Sequence, residues 1–186
     1  AIHKYVRNVD RELSVVGGCA RFGWDDGYLL GPPDNVFTSL EKFSSEVQVH
    51  CGLELQMTKT EILIMDGTLP ENTPVGMVRA GVKVGDIWEP GMLCYGVPIG
   101  SDKYVHYMLD AKVSEVDEHV HQIENVLQNE KQSLWSILRS SISQKLDYWL
   151  TLCYPTHIKQ AASRMDNLMT KILEKLVDAE IPMQGT

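Results

Sequence analysis

Two adjacent acidic residues stand in the middle of a short run rich in aromatic residues and glycine, Phe22-Gly23-Trp24-Asp25-Asp26-Gly27-Tyr28. Two ionised carboxylates side by side repel each other. A turn that presents both is therefore stabilised most by a divalent cation such as Mg²⁺, which takes carboxylate oxygens and substrate phosphates as ligands together. Asp25 and Asp26 are candidate metal ligands on this ground, and the chemistry that they indicate is phosphoryl transfer. The alternative is an ordinary polar turn, because Asp and Gly favour turns for local steric and hydrogen-bonding reasons.

The residues around the acidic pair predict the elements that must position it. Apolar residues spaced three and four apart over residues 2–16 predict an amphipathic helix, which the Gly17-Gly18 pair ends. Short apolar segments on either side of the acids predict a β-hairpin with the acids at its tip. After the hairpin, Asp34 is expected to cap a second helix that ends at Gly52.

Short strands are predicted between this second helix and residue 100. Candidates lie at residues 53–57, 61–65 and 81–88, and the last of them contains a Gly85-Asp86 turn. The intervening segment, residues 66–80, carries Pro and Gly and is expected to be a loop. The first hundred residues therefore predict a mixed part built from helices and short strands.

From Ser101 onward the apolar pattern is helical. One stripe runs along residues 105–127, a second helix is expected over about 130–153, and a third follows Pro155. Trp135 and Trp149 lie on the second stripe and are expected to be core residues rather than platforms for base stacking. We therefore predict an α+β fold in two parts, an α+β part at residues 1–100 and an all-helical part at residues 101–186.

The composition is that of a globular intracellular chain of 186 residues, 44% of them apolar and 23% charged. No apolar run approaches the roughly 20 residues that cross a bilayer, so we expect no membrane partner and a cytoplasmic or nuclear location. The four cysteines are far apart and include no Cys-x-x-Cys pair, which argues against a disulfide framework and a zinc site. Because the chain opens with Ala1 and not Met, we expect an internal piece of a longer polypeptide or a processed one, although expression trimming would look the same.

Charge is distributed unevenly along the chain. A net charge of −8 argues against a nucleic-acid partner, because a phosphate backbone normally requires a basic surface. Residues 131–175, however, carry 7 basic against 3 acidic side chains, a balance of +4. An acidic catalytic half beside a cationic binding half would show this asymmetry, although solvated helix faces also reach it by chance.

Two further motifs follow the acidic hairpin. They are Cys51-Gly52-Leu53-Glu54-Leu55-Gln56-Met57-Thr58-Lys59-Thr60-Glu61 and Leu93-Cys94-Tyr95-Gly96-Val97-Pro98-Ile99-Gly100. With the helices that flank the hairpin, this order resembles the second half of the palm of reverse transcriptases encoded by retroelements, and the helices from residue 102 on resemble the thumb. The resemblance covers essentially the whole chain. It implies a partial polymerase palm, in which antiparallel strands pack with helices, followed by an all-helical thumb-like bundle.

The resemblance also implies roles for individual residues. Asp25 and Asp26 match the two acids of the family's Tyr-x-Asp-Asp motif, in which the first commonly holds catalytic Mg²⁺ (or Mn²⁺) and the second supports the site. Lys59 would position or protonate the leaving pyrophosphate, because an ammonium group is favoured near concentrated phosphate charge. The alternative for Lys59 is a solvated loop lysine. Tyr95 and Gly96 resemble the family's primer-grip turn. The alternative is that the glycine only shapes the turn.

In the helical part, four basic residues are implied to contact the phosphates or the minor groove of an RNA/DNA template-primer duplex. They are Lys145, Lys159, Arg164 and Lys171. Such contacts supply affinity without reading sequence, and deoxynucleotides would be the substrates of the full-length parent.

The sequence also departs from the family. Gly23 stands where the family usually has Tyr two places before the first acid, and the earlier palm strand with its metal-binding aspartate and the fingers have no counterpart here. Asp10 lies on the polar side of the first helix and does not take that role. The parent would be a nucleotidyltransferase, but we predict that this chain alone does not polymerise. The competing hypothesis is a non-catalytic protein- or RNA-binding module derived from the polymerase fold.

Overall fold

The computed structural model describes residues 2–23, 26–66, 68–127 and 129–179. These residues form helices joined to short strands, so the predicted α+β class is confirmed. The chain divides into two compact units, Ala1–Ala80 and Gly81–Thr186. The sequence placed a boundary near residue 100, which in the structure is the end of a strand within the second unit.

The first unit opens with a helix, a hairpin and a helix, as the sequence predicts. They are α1 (His3–Ser14), β1 (Cys19–Gly23), β2 (Asp26–Leu30) and α2 (Pro33–Cys51). Strands β1 and β2 pair antiparallel, from Cys19 opposite Leu30 to Gly23 opposite Asp26. After α1, Gly17 adopts a positive φ of 78°. The amide of Gly18 then bonds back to the carbonyl of Leu13 at 2.9 Å, which turns the chain into the hairpin.

Helix α2 begins at a pair of prolines and ends at a glycine. Its N-cap is Pro32, and Asp34 lies inside the first turn, so the expectation that Asp34 caps the helix is wrong. The proline pair starts the helix because the fixed φ of Pro33 suits the first helical position, where no amide donor is needed. The Asp34 carboxylate instead accepts a hydrogen bond from Asn72 Nδ2 at 2.7 Å. The end at Gly52 is as predicted, with φ at 66°.

Both helices and the hairpin share one apolar core. It is formed by Val9, Leu13, Ala20, Phe43 and Val47. Phe22 from the hairpin and Leu55 from the segment after α2 pack against it. The hairpin is therefore supported from its base by α1 and α2.

The segment after α2 has less strand than predicted. Residues 53–57 form no strand, and a single 3₁₀ turn, Met57–Lys59, follows. Strand β3 (Glu61–Ile62) is only two residues long and pairs in parallel with β4 (Val78–Arg79), which lies in the predicted loop. The predicted strand at 53–57 is wrong. The alternation of apolar residues there is explained by Leu55, which packs on the core formed by the helices and the hairpin without pairing to another strand.

The second unit begins with a three-stranded antiparallel sheet. Its strands are β5 (Gly81–Val84), β6 (Ile87–Cys94) and β7 (Val97–Gly100), in that order. The predicted Gly85-Asp86 turn joins β5 to β6, and Gly85 has a φ of 62°. All three strands contact the long helix that follows, α3 (Asp102–Val126). This packing is the reason that residues 81–100 belong with the helices.

The remaining helices are α4 (Lys131–Ile137), α5 (Asp147–Leu152) and α6 (Pro155–Val177). A π-helical turn, Leu138–Ile142, follows α4, so the single helix predicted over about 130–153 is wrong. Serine hydroxyls compete with the helix here: Ser140 Oγ donates to the carbonyl of Ser136, and Ser143 Oγ donates to the carbonyl of Arg139, each at 2.7 Å. Such bonds weaken and bend a helix.

The second core combines α3, the α4 segment and α6. Its largest fully buried side chains are Leu109, Val116, Val120, Leu138, Ile142, Leu146 and Ile172. Trp149 packs against this core, as predicted, but Trp135 does not belong to it and is 39% exposed. The prediction that Trp135 is a core residue is wrong, because Leu134 and Leu138 already occupy the inward face of the helix. No helix in the described ranges is both long enough and apolar enough to span a bilayer.

Candidate functional site

Asp26, the second acid of the pair, lies at the end of the β1–β2 ladder. Gly23 and Asp26 are the last paired residues of the two strands, and only positions 24 and 25 lie between them in the sequence. Asp26 is exposed, and its carboxylate has no partner among the described residues. Asp25, the other predicted metal ligand, lies outside the described residues. The predicted hairpin therefore carries Asp26 at the start of its second strand.

Asp10 joins helix α1 to the hairpin. Its Oδ1 accepts a hydrogen bond from the amide of Ala20 and another from Arg21 Nη1, both at 2.9 Å. The bond from the Ala20 amide, followed by the charge of Arg21, lowers the pKa of the Asp10 carboxyl below its ordinary 3.8. This carboxylate is thus engaged in positioning β1.

Phe22 anchors the hairpin on α2. Its ring lies 5.1 Å from that of Phe43, centroid to centroid, with the planes tilted by 47°. Opposite Phe22 on β2 stands Gly27, and a Cβ there would lie only 2.5 Å from Cε1 of the Phe22 ring. Glycine leaves room for the ring, which covers the neighbouring strand at this position. The aromatic and the glycine of the motif therefore have a packing role that the sequence alone did not indicate.

An ion pair links the two helices behind the hairpin. Lys42 of α2 bonds to Glu12 of α1, and this bond raises the pKa of the Lys42 ammonium. Both groups are substantially exposed, so we assign the pair a positioning role and little stability.

Lys59 ends the 3₁₀ turn that follows α2. Its side chain is exposed and has no partner in the described part of the chain, which leaves its ammonium available to an anion. Leu55, four residues earlier, packs on the core that supports the hairpin, so the segment before Lys59 is attached to the same core as the hairpin. The predicted contact of Lys59 with pyrophosphate stays a prediction.

The described residues contain no group of three or more His, Cys, Asp or Glu side chains that could hold a metal ion. Magnesium in proteins commonly takes one or two carboxylates and fills its other positions with water and substrate phosphate oxygens. Asp26, exposed and without a protein partner among the described residues, fits as one such carboxylate. The metal site itself stays a prediction.

The predicted primer-grip turn is a tight two-residue connection between β6 and β7. Tyr95 and Gly96 both have positive φ, 49° and 78°. For tyrosine this left-handed backbone is unfavourable. The hydroxyl of Tyr148, on α5, donates to the carbonyl of Tyr95 at 2.8 Å and so fixes the turn. Sequence reasoning missed Tyr148, because no local pattern joins residues so far apart.

Two of the four predicted duplex contacts are engaged within the second unit. Arg164 Nη1 lies 2.7 Å from Asp110 Oδ1, an ion pair between α6 and α3. Lys145 Nζ lies 2.9 Å from His119 Nδ1. Both cations therefore contribute to the packing of α3 against its neighbours.

The other two, Lys159 and Lys171, are exposed on α6 and have no side-chain partner among the described residues. Their ammonium groups are available to a phosphate. The structure thus separates the four predicted cations into two structural and two available ones.

A buried carboxylate at the base of α3 was also missed. Glu89 is only 7% exposed. Its Oε2 accepts a hydrogen bond from Ser101 Oγ at 2.8 Å, and Lys103 Nζ lies 3.3 Å from its Oε1. Ser101 Oγ also accepts a bond from the amide of Tyr104, which caps α3. The network joins β6 to the first turn of α3 and has no sequence signal beyond the Ser101 cap.

Cysteine chemistry is disfavoured at two of the four free thiols. Burial raises the pKa of the Cys94 and Cys153 thiols, so the reactive thiolate is less populated at neutral pH.

Comparison with known proteins returned no protein-family model, no curated protein and no solved structure that matches this chain. The resemblance to reverse transcriptases therefore depends on the motifs of the sequence and stays a prediction.

Proposed function

We propose that this chain is the carboxyl-terminal palm and thumb portion of an RNA-directed DNA polymerase. The observation that carries the proposal is a helix-backed hairpin with Asp26 at the end of its ladder and Asp25 beside it in sequence, followed by the two downstream motifs in order. Function must be argued from such a site, because many unrelated activities share one fold.

In this proposal Asp25 and Asp26 hold Mg²⁺ or Mn²⁺, with a further carboxylate supplied by polypeptide outside this sequence. The metal supplies charge stabilisation to the attacking hydroxyl and the leaving pyrophosphate. Asp10 and Phe22 keep the hairpin against its two helices, and the ammonium of Lys59 binds the leaving pyrophosphate electrostatically.

The second unit grips the template-primer duplex. Lys159 and Lys171, which are exposed on α6, bind backbone phosphates without reading sequence. The Tyr95–Gly96 turn is fixed by Tyr148, and its glycine allows the backbone of the turn to approach the primer strand closely. Lys145 and Arg164 act mainly by keeping α3 in place.

A second candidate is a non-catalytic module derived from the same fold, which binds protein or RNA. The net charge of −8 and the glycine at position 23 favour this alternative.

The two candidates differ in their response to metal and salt. If the first is correct, Mn²⁺ should broaden the NMR signals of residues near the hairpin tip, and the double variant D25N/D26N should abolish that effect. Affinity for an RNA/DNA duplex, measured by fluorescence anisotropy, should fall steeply with salt. The double variant K159E/K171E should bind more weakly and flatten the salt slope by about 0.9 for each lost phosphate contact. The K83E variant, a charge reversal on β5, is the matched control and should change binding little.

Absence of both the Mn²⁺ effect and duplex binding at low salt would overturn the polymerase proposal and favour the module. The purified chain should not extend a primer on a homopolymer template, since one metal-site carboxylate is missing. Primer extension would show that this chain already contains a complete site.

A further inference from the structure

An open groove lies along the outer face of α4 and the π-helical turn. Its volume is about 530 Å³, and it is open to solvent along one side. The lining side chains are Gln132, Trp135, Ser136, Arg139, Ser140 and Gln144, and all six residues are exposed. The groove lies in the second unit and includes none of the residues assigned above to catalysis or duplex binding.

The inward face of the same segment explains why these side chains are available. Leu134, Leu138, Ile142 and Leu146 are buried at intervals of four residues and anchor the segment to the core. Trp135 is therefore not needed to pack this helix against the core. Packing explains a buried tryptophan, whereas an exposed tryptophan beside a groove indicates an interaction site.

Trp135 and Arg139 form the centre of the groove. They are four residues apart, so their side chains lie on one face of the helix. Within the described residues, the Trp135 ring makes no aromatic contact and the Arg139 guanidinium has no hydrogen bond or ion pair. One flat aromatic surface and one uncompensated cation thus stand side by side.

The backbone is also unusual at this point. In the π turn the amide of Ser143 bonds to the carbonyl of Leu138 at 2.9 Å, five residues earlier. A π turn holds more residues than an α turn, and such turns occur frequently at functional sites. Gln132 and Gln144, on either side of this turn, both line the groove.

Local charge favours an anionic ligand. Between Glu130 and Asp147 the segment contains three cations, Lys131, Arg139 and Lys145, and no carboxylate. Lys131 bonds to the carbonyl of Leu176 and Lys145 contacts His119. Arg139 is the one that lines the groove. The glutamines and serines add hydrogen-bond donors and acceptors of the kind that recognise base edges.

We propose that this groove binds an unpaired nucleotide of single-stranded RNA, with its base stacked on Trp135 and its phosphate bound by Arg139. Single-stranded RNA exposes base faces to aromatic side chains, whereas a duplex keeps them stacked inside. The available groups are one ring, one guanidinium and neutral polar side chains, which suit a splayed nucleotide better than a duplex surface. The inference goes beyond the proposed function and does not depend on polymerase activity.

The experiment compares a fluorescein-labelled 12-nucleotide RNA of mixed sequence with its duplex, by anisotropy at low salt. Replacing Trp135 with alanine should weaken single-strand binding roughly tenfold or more, the usual effect of losing a stacked base, while W135F should retain most of the affinity. R139Q should weaken binding and reduce the salt slope by about 0.7. K83Q, which removes an exposed cation of β5 outside the groove and outside the proposed duplex contacts, is the matched control and should leave single-strand affinity nearly unchanged. Circular dichroism checks that each variant is folded.

Several outcomes would overturn this proposal. They are absence of single-strand binding by the native chain, wild-type affinity in both W135A and R139Q, or equal weakening of single-strand and duplex binding by W135A. Displacement of the RNA by poly-glutamate as readily as by unlabelled RNA would also count against it, because charge alone would then explain binding. Loss of duplex binding with retained, Trp135-dependent single-strand binding would remove the polymerase proposal and leave this one standing.

Discussion

Substituting Gly27 with alanine tests how the candidate hairpin is held. A Cβ at this position would lie 2.5 Å from Cε1 and 2.8 Å from Cδ1 of Phe22, well inside van der Waals contact. The Phe22 ring must therefore tilt away, and its contact with Phe43 is weakened. Gly27 is not among the glycines with positive φ, so the backbone itself would accept alanine.

The magnitude follows from two opposing effects. Overpacking costs about 1 to 3 kcal/mol, and loss of an aromatic pair contributes about 0.5 to 1.5 kcal/mol within that cost. Replacing glycine by alanine returns about 0.4 to 1 kcal/mol, because it restricts the unfolded chain. Phe22 is half-buried and can move in part. We expect G27A to lower the free energy of unfolding by about 1 to 2 kcal/mol.

The assay is urea unfolding followed by far-UV circular dichroism. Hydrogen exchange of β1 and β2 amides, read by mass spectrometry, assigns the change to the first unit, since the two units need not unfold together. The matched background is F22A, because alanine has none of the ring atoms Cδ1, Cε1 and Cζ that the added methyl group would contact. In that background G27A should be nearly neutral, which gives a coupling of about 1 to 2 kcal/mol between the two sites. Equal destabilisation in both backgrounds would refute the packing argument.

Three further predictions concern the contacts that position the site elements. The pKa of Asp10 is lower in the folded state, so the stability that its carboxylate contributes is complete above pH 3.8 and is lost as the pH falls through the folded-state pKa. In acid titrations, the difference in unfolding free energy between the native chain and D10N should therefore shrink below about pH 4. A difference that stays constant with pH would contradict this. Y148F should lower stability by no more than about 1 kcal/mol and speed amide exchange at the Tyr95 turn, and unchanged exchange there would count against the hydrogen bond. G91A should cost about 1 to 3 kcal/mol or more, because its Cβ would enter the ring of buried Tyr104. In a Y104A background, which lacks the ring, the same substitution should cost much less in thermal unfolding, and an equal cost in both backgrounds would contradict the clash.

Local signals accounted for the elements that carry the candidate site. Apolar spacing predicted α1, α3 and α6, and a glycine in the left-handed region ended α2 where expected. The hairpin was predicted correctly because its strands pair through a short local turn. These features depend on residues a few positions apart, which is the range over which periodicity and turn chemistry act.

Contacts between distant residues had no such signal. The predicted 130–153 helix is divided into α4, a π turn and α5, and Ser140 and Ser143 bond to backbone carbonyls at this point, although each serine is compatible with a helix taken alone. The burial of Glu89 and the Tyr148 bond to Tyr95 likewise join residues that no pattern connects.

The sequence by itself determined which residues are acidic, basic or apolar, where helices and the hairpin form, and which side chains are candidates for phosphate chemistry. Only the tertiary structure decided which candidates are available: Lys145 and Arg164 are engaged by partners, whereas Lys159 and Lys171 are exposed. The physical reason is that a side chain's function depends on its partners, and those are chosen by packing across the whole chain.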